Sequence, residues 1–477
     1  MDDALALGGK IKTLRRRDNV SQVALAQRLG ISPSYLNLIE SNKRPLTASL
    51  LLKLAQIFTV DLSTFASADD ARLGADLAEA FGDPIFEGQG VGETEARELS
   101  AESPGVARAV MTLYRAFVSA RDNAQALASR LSEEGAASTA PSGLPTEEVS
   151  DFIQRHMNHF PALEAAAEAV WREARLDSED VYGGLVRYLQ TRHGVTVKIV
   201  RVSDERRAMR RFDPETRILS ISEVLPPRSR RFQVAHQVAL LAASAELDGA
   251  LRDAPELTTK EAHALGRVAL ANYFAAAALM PYELFLEAAR AERYDVELLA
   301  HRFGASFEQV CHRMTTLRRA GREGVPFHLL RIDMAGNISK RFSASGIRIA
   351  RFSGACPRWN VHAAFLTPGM IRVQISRMPD GGLYFCIART IRSDRGGYNV
   401  PHTVHAIGMG CPIERARDLV YADGVDLENL EAAVPVGVTC RLCEHLDCPQ
   451  RAFPPLLHPL RIKENVRGVS FYSPVGD

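Results

Sequence analysis

Two short amphipathic segments joined by a single glycine lie near the start of this 477-residue chain. Ser21 is a suitable N-cap for a helix over residues 22–29, and Gly30 permits the tight turn that follows. Ser32-Pro33 then caps and starts a second helix, from which Leu36 and Ile39 are predicted to point into a core. The side chains predicted to point outward from the second helix are Ser32, Ser34, Tyr35, Asn37 and Glu40.

This segment is also strongly basic. Residues 1–60 carry nine basic and four acidic side chains, a net charge of +5, whereas the net charge of the whole chain is only +1. Short polar side chains can read base edges in a major groove, and neighbouring amides and cations can bind phosphates. A small basic helical head on a nearly neutral body is typical of a DNA-binding module, although a generic helical bundle is the alternative.

The stretch SQVALAQRLGISPSYLNLIESNKRPLT, residues 21–47, resembles the phage-repressor-like (XRE) helix-turn-helix family. We therefore expect residues 1–66 to form a five-helix DNA-binding bundle. The resemblance implies that Gln22 clamps a phosphate at the start of its helix, while the outward residues of the second helix approach bases. The complete predicted DNA-binding set is Gln22, Ser32, Ser34, Tyr35, Asn37, Asn42, Lys43 and Arg44.

A heptad pattern follows within the predicted linker of residues 67–145. Ser103-Pro104 reads as a helix start, and apolar or small residues then recur at alternating intervals of four and three. The pattern predicts a helix over residues 104–133, about 45 Å long at about 1.5 Å per residue. Such a helix either packs on its own domain or dimerises. We favour dimerisation, giving a homodimer or a tetramer of dimers, because helix-turn-helix heads usually bind two half-sites. The seam residues are Val106, Val110, Leu113, Phe117, Ala120, Ala124, Leu127 and Leu131.

A linker of small residues, GAASTAPSGLP at 135–145, precedes the rest of the chain. Residues 146–320 are predicted to be mostly helical, with strands near 195–200 and 218–221. Residues 321–477 are predicted to be α+β, with a β-hairpin whose strands flank residues 379–382. The fold class is therefore multidomain and mainly α, with α+β parts. The chain has no run of eighteen apolar residues and no signal-peptide pattern, so we expect a cytoplasmic protein without a membrane partner.

The segments RRFQVAHQVALLAA, residues 230–243, and ANYFAAAALMPYELF, residues 271–285, resemble the IrrE/ImmA-type domain, a zincin-like α+β fold. Active members carry His-Glu-x-x-His, whose histidines bind zinc while the glutamate acts as general base. This chain keeps His236, but Gln237 and Leu240 replace the base and the second ligand, and residues 265–272 contain no acid. Because catalytic zinc needs three protein ligands, we expect no enzyme activity and treat His236 as a core residue. A helix-turn-helix-linked metallopeptidase would need the missing groups.

A cleft without its metal still suits a small effector, because such clefts are concave and largely apolar. Three side chains are candidates for binding an effector in this region. Tyr273 lies on an alanine-rich helix, Lys198 is a lone cation in an apolar strand, and Arg331 precedes the sequence IDMAGNISKR. For each of them, a structural role is the alternative.

Cysteines are concentrated late in the chain. None of the seven lies before Cys311, and five fall within residues 386–448. The spacing Cys440-x2-Cys443-x4-Cys448 lets several thiolates share one metal or cluster, with Cys356 or Cys411 as a fourth ligand. An iron–sulfur cluster (4Fe-4S), a structural zinc ion and three metal-free thiols all stay open.

The sequences GACPRWNVHAAF (354–365), HAIGMGC (405–411) and CRLCEHLDCPQRAFPP (440–455) resemble the C-terminal domain of the short-chain fatty acyl transcriptional regulators, the ScfR family. In that family the domain follows an XRE head and an IrrE-like domain, in the order found here. The resemblance implies a sequence-specific regulator of acetate or propionate acyl-CoA metabolism, with an acyl-CoA as effector. A redox-sensing or iron–sulfur-sensing regulator is the alternative.

Overall fold

A computed structural model of the chain describes residues 8–60 except 19, 42 and 45, then 68–86, 89–131, 145–201, 209–350, 356–393, 402–438, 440, 443–454 and 469. The contacts divide the chain into two compact units. One unit contains residues 1–141, 350–353 and 438–477, and the other contains residues 142–349 and 354–437. The polypeptide therefore passes between the units more than once.

The first unit begins with four helices around one small core. They are α1 (Gly8–Arg17), α2 (Gln22–Leu29), α3 (Pro33–Glu40) and α4 (Ala48–Phe58). The predicted caps are present: the Ser21 hydroxyl accepts a hydrogen bond from the backbone of Ala24, and the Ser32 hydroxyl accepts one from that of Tyr35. Gly30 has a φ of 74°, which suits a glycine at the end of α2. Residues 1–7 and 61–66 of the predicted five-helix bundle lie outside the described part of the chain. The buried residues of this core include Ile11, Leu25, Ala26, Leu29, Leu36, Ile39, Leu54 and Phe58.

Three further helices pack together in the same unit: α5 (Ala68–Phe81), α6 (Glu93–Glu102) and α7 (Pro104–Leu131). One face of α7 is buried against α5 and α6 through Ala107, Met111, Tyr114 and Val118. Of the predicted heptad seam, Val106, Leu113 and Phe117 lie on an exposed face of α7, whereas Val110 packs beside the buried residues. Helix α7 begins at Pro104, as the sequence predicted, and the proline occupies the first turn of the helix.

The first helix of the head lies directly against α6. A side chain at Gly9 would come within 2.6 Å of the Glu102 Cα atom, so only glycine fits without a backbone shift. The described head and the three-helix layer are thus joined by a close backbone contact as well as by the chain.

The second unit opens with a helical layer and a small sheet. Its elements in chain order are α8 (Pro145–Arg155), α9 (Pro161–Glu173), α10 (Val181–His193), β1 (Thr196–Val200), β2 (Arg210–Asp213), β3 (Ile218–Ser222), α11 (Pro227–Ala242), α12 (Ser244–Arg252), α13 (Lys260–Leu279), α14 (Tyr282–Ala291), α15 (Val296–Arg302) and α16 (Phe307–Thr315). The strand order among the described residues is β1-β3-β2, with β1 parallel and β2 antiparallel to β3. Helices α11 and α13 pack side by side within the core of this layer.

A larger sheet completes this unit. Its described elements are β4 (His328–Ile332), β5 (Ile338–Ser343), α17 (Asn360–Ala363), β6 (Arg372–Arg377), β7 (Leu383–Ser393), β8 (Thr403–Pro412) and β9 (Val434–Pro435). The strand order is β5-β4-β8-β7-β6-β9 within the described chain. Strands β6 and β7 pair antiparallel on either side of residues 378–382, where the sequence predicted a hairpin. One face of the sheet contributes Leu329, Phe385, Ile387 and Met409 to a core shared with α14, α15 and α16.

In this unit, residues before and after position 320, the predicted boundary between two domains, pack against each other. The Gln154 side chain of α8 both donates to the Ser343 carbonyl oxygen at 2.7 Å and accepts from the Ser343 amide at 3.0 Å. Glu147 forms an ion pair with Arg341 of the same strand. Residues on both sides of position 320 therefore form one packed body.

Among the described residues, no single helix is long and apolar enough to span a membrane. Only α13 and α14 taken together meet that criterion, by length and composition, and they are bent by 67° relative to each other.

Candidate DNA-binding and effector sites

Helix α3 and its N-cap carry four of the eight residues predicted to contact DNA. Ser32, Ser34 and Asn37 are exposed, and Tyr35 is half-buried with its ring packed beside the core of the head. Leu36 and Ile39 are buried, as the sequence predicted. The Ser32 hydroxyl is engaged as the N-cap of α3, so it has a structural role at the start of the helix.

The end of α3 is held by a buried ion pair that the sequence did not reveal. The Arg15 guanidinium of α1 donates to both oxygens of Glu40, at 2.7 and 3.0 Å. The Gln22 amide donates to Glu40 at 3.0 Å and to the Asn37 side chain at 3.3 Å. The prediction that Glu40 points outward was wrong: it is 8% exposed, because the Arg15 charge compensates for its burial.

This network positions the exposed face of α3. Gln22, predicted to clamp a phosphate, is the side chain that links α2 to α3. Lys43 and Arg44 are exposed just after α3, where their charges can meet a phosphate backbone. Asn42, also predicted, lies outside the described residues. A signal for the network existed in the sequence, since an acid on a DNA-facing helix would repel phosphates unless a cation neutralised it.

The predicted effector residue Tyr273 belongs to a buried polar network. Its hydroxyl donates to Glu164 at 2.6 Å and accepts from the Phe160 amide at 3.3 Å. The fully buried Arg313 guanidinium binds both oxygens of Glu164, at 2.6 and 3.0 Å. Burial alone would raise the pKa of Glu164, but the Arg313 charge lowers it below its ordinary value. Tyr273 therefore has its hydrogen bonds within the protein.

The other two predicted effector residues have different surroundings. Lys198 is exposed on β1, opposite Ser220 of β3. Arg331 of β4 donates to Glu308 at 2.9 Å, and Lys340 of β5 donates to the same oxygen at 2.8 Å. Burial would raise the pKa of Glu308, but the Lys340 charge brings it to about 2. The structure thus assigns Tyr273 and Arg331 to separate hydrogen-bond networks.

The degenerate metallopeptidase motif lies where α11 and α13 pack together. His236 is 4% exposed, and its Nδ1 atom lies 2.9 Å from the Asn272 Oδ1 atom. Burial, followed by the nearby Arg210 charge, lowers the pKa of His236 to about 4. Arg210 of β2 donates to the Gln237 side chain at 3.0 Å. These residues do not fit zinc, because they supply one imidazole and a neighbouring cation where the metal needs several ligands.

The C-terminal cysteines occupy two kinds of environment. Cys411 on β8 is buried in the apolar core, where burial raises the pKa of its thiol, and Cys356 is also buried. The other three predicted ligands, Cys440, Cys443 and Cys448, lie on one loop of the first unit and are partly exposed. Burial and the proximity of the other two thiols raise the pKa of Cys443.

That loop is organised by an arginine that the sequence analysis did not single out. Arg451 is 5% exposed and donates to the carbonyl oxygens of Cys440 at 2.6 Å, Cys443 at 2.7 Å and His445 at 2.9 Å. Within the described residues, no three His, Cys, Asp or Glu side chains are arranged to hold a metal ion. The Arg451 guanidinium nevertheless binds three backbone carbonyl oxygens of the segment that carries these cysteines.

Three family models match successive parts of the chain. A helix-turn-helix model matches residues 11–65, the IrrE N-terminal-like domain matches residues 190–315, and the C-terminal model of the short-chain fatty acyl coenzyme A regulators matches residues 316–472. The order agrees with the resemblances found in the sequence.

Full-length relatives match as well. The chain is 40% identical over 470 residues to the HTH-type transcriptional regulator RamB of Mycobacterium tuberculosis, covering 98% of each chain. It is 39% identical over 472 residues to the propionyl-CoA carboxylase regulator of Cereibacter sphaeroides, covering 99% of each. The HTH-type transcriptional regulator PrpR of M. tuberculosis is 38% identical over 466 residues, with 98% of this chain and 95% of PrpR covered.

A solved structure agrees with these matches. A transcriptional regulator from M. tuberculosis superposes with a TM-score of 0.66 at 40% identity, covering 69% of this chain and all of the other. With relatives of this similarity over almost its whole length, the chain belongs to the short-chain fatty acyl coenzyme A regulator family and is a DNA-binding transcriptional regulator rather than an enzyme.

Proposed function

We propose that this regulator controls genes of short-chain acyl-CoA metabolism, such as the use of acetate or propionate, by inserting α3 into the major groove of an operator. The observation that carries the proposal is the exposed polar face of α3, fixed from behind by Arg15, Glu40 and Gln22. The family description and the name of the propionyl-CoA carboxylase regulator support the class of target genes. Because its proposed target is chromosomal DNA, we place the protein in the cytoplasm.

An acyl-CoA is the proposed effector, and Arg331 and Lys340 are the proposed phosphate contacts. Both donate to one carboxylate oxygen of Glu308, so the three groups together carry one net positive charge. Burial and the Lys340 charge lower the pKa of the adjacent His312 to about 3, which leaves its ring neutral at physiological pH. A coenzyme A phosphate can neutralise the remaining charge. Lys198 and Tyr273 remain candidates for further contacts.

Operator affinity is expected to change at least about fivefold when propionyl-CoA is added. A change of this size corresponds to a small coupling energy for an allosteric regulator. The measurement is a fluorescence-anisotropy titration of the operator at fixed ionic strength, with propionyl-CoA, acetyl-CoA, free coenzyme A and no ligand. Arg331→Gln should reduce the response because it removes a phosphate donor. Arg228→Gln, at an exposed position of α11, is the matched control. An affinity that no acyl-CoA changes would contradict the effector assignment.

We further propose that α7 forms the dimer contact through its exposed seam. Val106 is 54% exposed and Leu113 is 71% exposed, and Phe117 lies on the same face. The adjacent side of the helix, together with Val110, is already buried against α5 and α6, so the exposed part of the seam is available to a second copy. Two-fold pairing would bury these side chains at about 1.5–3 kcal/mol for each large one. The seam positions Ala124, Leu127 and Leu131 lie beyond the described side chains.

Leu113→Glu should dissociate this dimer, raising the dimer dissociation constant by at least about tenfold, because a two-fold contact would place two like charges together. Light scattering during size-exclusion chromatography measures the mass. Thr112→Glu, exposed on a different face of α7, adds the same charge and should leave the mass unchanged. An unchanged mass for both variants would show that any assembly uses another surface.

A metal centre on the Cys440–Cys448 loop is the second proposal, as an iron–sulfur cluster or alternatively zinc. The support is the type of donor, because three thiols on one segment suit a soft metal. Arg451 binds the backbone carbonyl oxygens of Cys440 and Cys443. Binding would have to draw together thiols that are not arranged as a metal site in the described residues. When bound, a cluster would make the regulator responsive to oxidants. In this arrangement Cys440, Cys443 and Cys448 would bind the centre.

Cys443→Ser is expected to remove the visible absorbance and the bound iron of anaerobically purified protein. Elemental analysis distinguishes iron from zinc in the same sample. Cys311→Ala, in the buried core of the second unit, is the control and should retain the metal. Wild-type protein that is free of both metals after anaerobic purification would rule out the centre.

A further inference from the structure

The degenerate metallopeptidase motif is contacted by a cation, Arg210, that has no acidic partner among the described residues. The Arg210 guanidinium is half-buried and is hydrogen-bonded to a neutral group, the Gln237 amide. Burial lowers the pKa of Arg210, and Arg210 forms no ion pair with any residue in the described part of the chain. A buried charge is costly unless an opposite charge compensates for it. This position is therefore suited to an anion.

A second polar group beside Arg210 is also incomplete. His236 Nδ1 is occupied by Asn272, but His236 Nε2 is buried and has no hydrogen-bond partner among the described residues. Buried polar atoms without partners are rare in native proteins and require an explanation. His236 and Gln237 are adjacent on α11, and Arg210 is bonded to Gln237. The Arg210 charge also acts on the His236 ring, so the two groups lie in the same small region.

We propose that His236 and Arg210 form a binding site for a small carboxylate. A guanidinium donates two parallel hydrogen bonds to a carboxylate, and Arg210 uses only its Nη1 nitrogen for Gln237. His236 can add a third donor from Nε2, because the Asn272 amide can rotate and donate to Nδ1 in the other tautomer. The arginine thus supplies the positive charge that a metal ion would supply in an active metallopeptidase.

The flanking residues indicate which carboxylate fits. Phe212 lies two residues after Arg210 on the same side of β2, and Leu240 lies one helical turn after His236 on α11. Both are half-buried and pack against the core cluster of this layer. A short hydrocarbon end can contact these apolar side chains, while a phosphate or a second carboxylate would have to lose its hydration without a further cation. The geometry therefore favours a short-chain monocarboxylate, sensed separately from any coenzyme A ester.

Ligand-observed NMR on the full-length chain tests this site with propionate as the probe and inorganic phosphate as the competitor. Wild-type protein should bind propionate, and Arg210→Gln should weaken binding at least about tenfold, because it removes a charge-assisted hydrogen-bond pair. Arg211→Gln is the control, since Arg211 is the exposed neighbour on the other side of the strand. Equal binding by the Arg210 and Arg211 variants, or phosphate displacing propionate at lower concentration, would overturn the proposal.

A second measurement uses wild-type protein and needs no core variant to fold. Propionate should shift one histidine ring signal in protein labelled with ¹⁵N-histidine, and that signal should be the one missing from His236→Gln. Propionyl-CoA is added in a parallel sample: a shift with propionate alone supports the free acid as ligand, whereas a shift only with the thioester would overturn that assignment. A His236 signal that neither compound shifts would overturn the site itself.

Discussion

A variant with alanine at both Tyr35 and Asn37 is expected to bind its operator about a hundredfold more weakly than the wild type. Each side chain that contacts a base edge contributes about 1–3 kcal/mol of discrimination. Asn37 is exposed on α3, and its side chain is oriented by the Gln22 amide at 3.3 Å. The loss should fall on specific binding, because Lys43, Arg44 and the other basic residues of the head still contact phosphates.

Anisotropy titrations with operator and with scrambled DNA at one salt concentration measure this difference. Gln56→Ala, which truncates an exposed amide on α4 in the same bundle, is the matched control. Circular dichroism confirms that the head is folded in each variant. If the double variant protected the same promoter as tightly as wild type, α3 would not be the recognition helix.

The second large effect concerns stability. Glu164→Leu should lower the free energy of unfolding of the second unit by about 3–5 kcal/mol, the usual cost of leaving one partner of a buried ion pair without the other. Arg313 would stay fully buried with its charge uncompensated, and the Tyr273 hydroxyl would lose its acceptor. Glu164→Leu combined with Arg313→Met should recover much of this loss, because neither charge is then buried.

Urea unfolding followed by tryptophan fluorescence measures the wild type, the single variants Glu164→Leu and Arg313→Met, and the double variant. Trp171, on the same helix as Glu164, donates to the Ala278 carbonyl oxygen at 2.6 Å and reports on this layer. Glu168→Leu is the control: its ion pair with Arg319 is largely exposed, so its loss should cost at most about 1 kcal/mol. If the two single substitutions added in the double variant, the charges would not be coupled.

The head was predictable because its determinants are local. Ser21, Gly30 and Ser32-Pro33 set the boundaries of α2 and α3 within a dozen residues, and the alternation of apolar side chains sets the buried face. The same reasoning predicted the start of α7 and the two strands near residues 196–222, whose patterns are equally short in range.

The features that the sequence did not predict depend on contacts between residues far apart in the chain. Glu164 and Arg313 are 149 residues apart, and neither has a neighbour in sequence that indicates an ion pair. Arg15 and Glu40, like Arg210 and Gln237, meet only after folding. Charge counts treat such residues as surface groups, since burial of a single charge cannot be read from periodicity.

The contact at Gly9 has a consequence for target selection. Helix α1 lies against α6 without room for a side chain at Gly9, and Arg15 of α1 binds Glu40 of α3. The recognition helix α3 therefore cannot rotate independently of the layer that contains α7. In a dimer formed through α7, the two α3 helices would then lie at a fixed distance from each other and at a fixed rotation around the DNA axis. One added base pair turns a half-site by about 34°, given about 10.5 base pairs per turn. Such a dimer would discriminate between promoters by the spacing of their half-sites as strictly as by their base sequence.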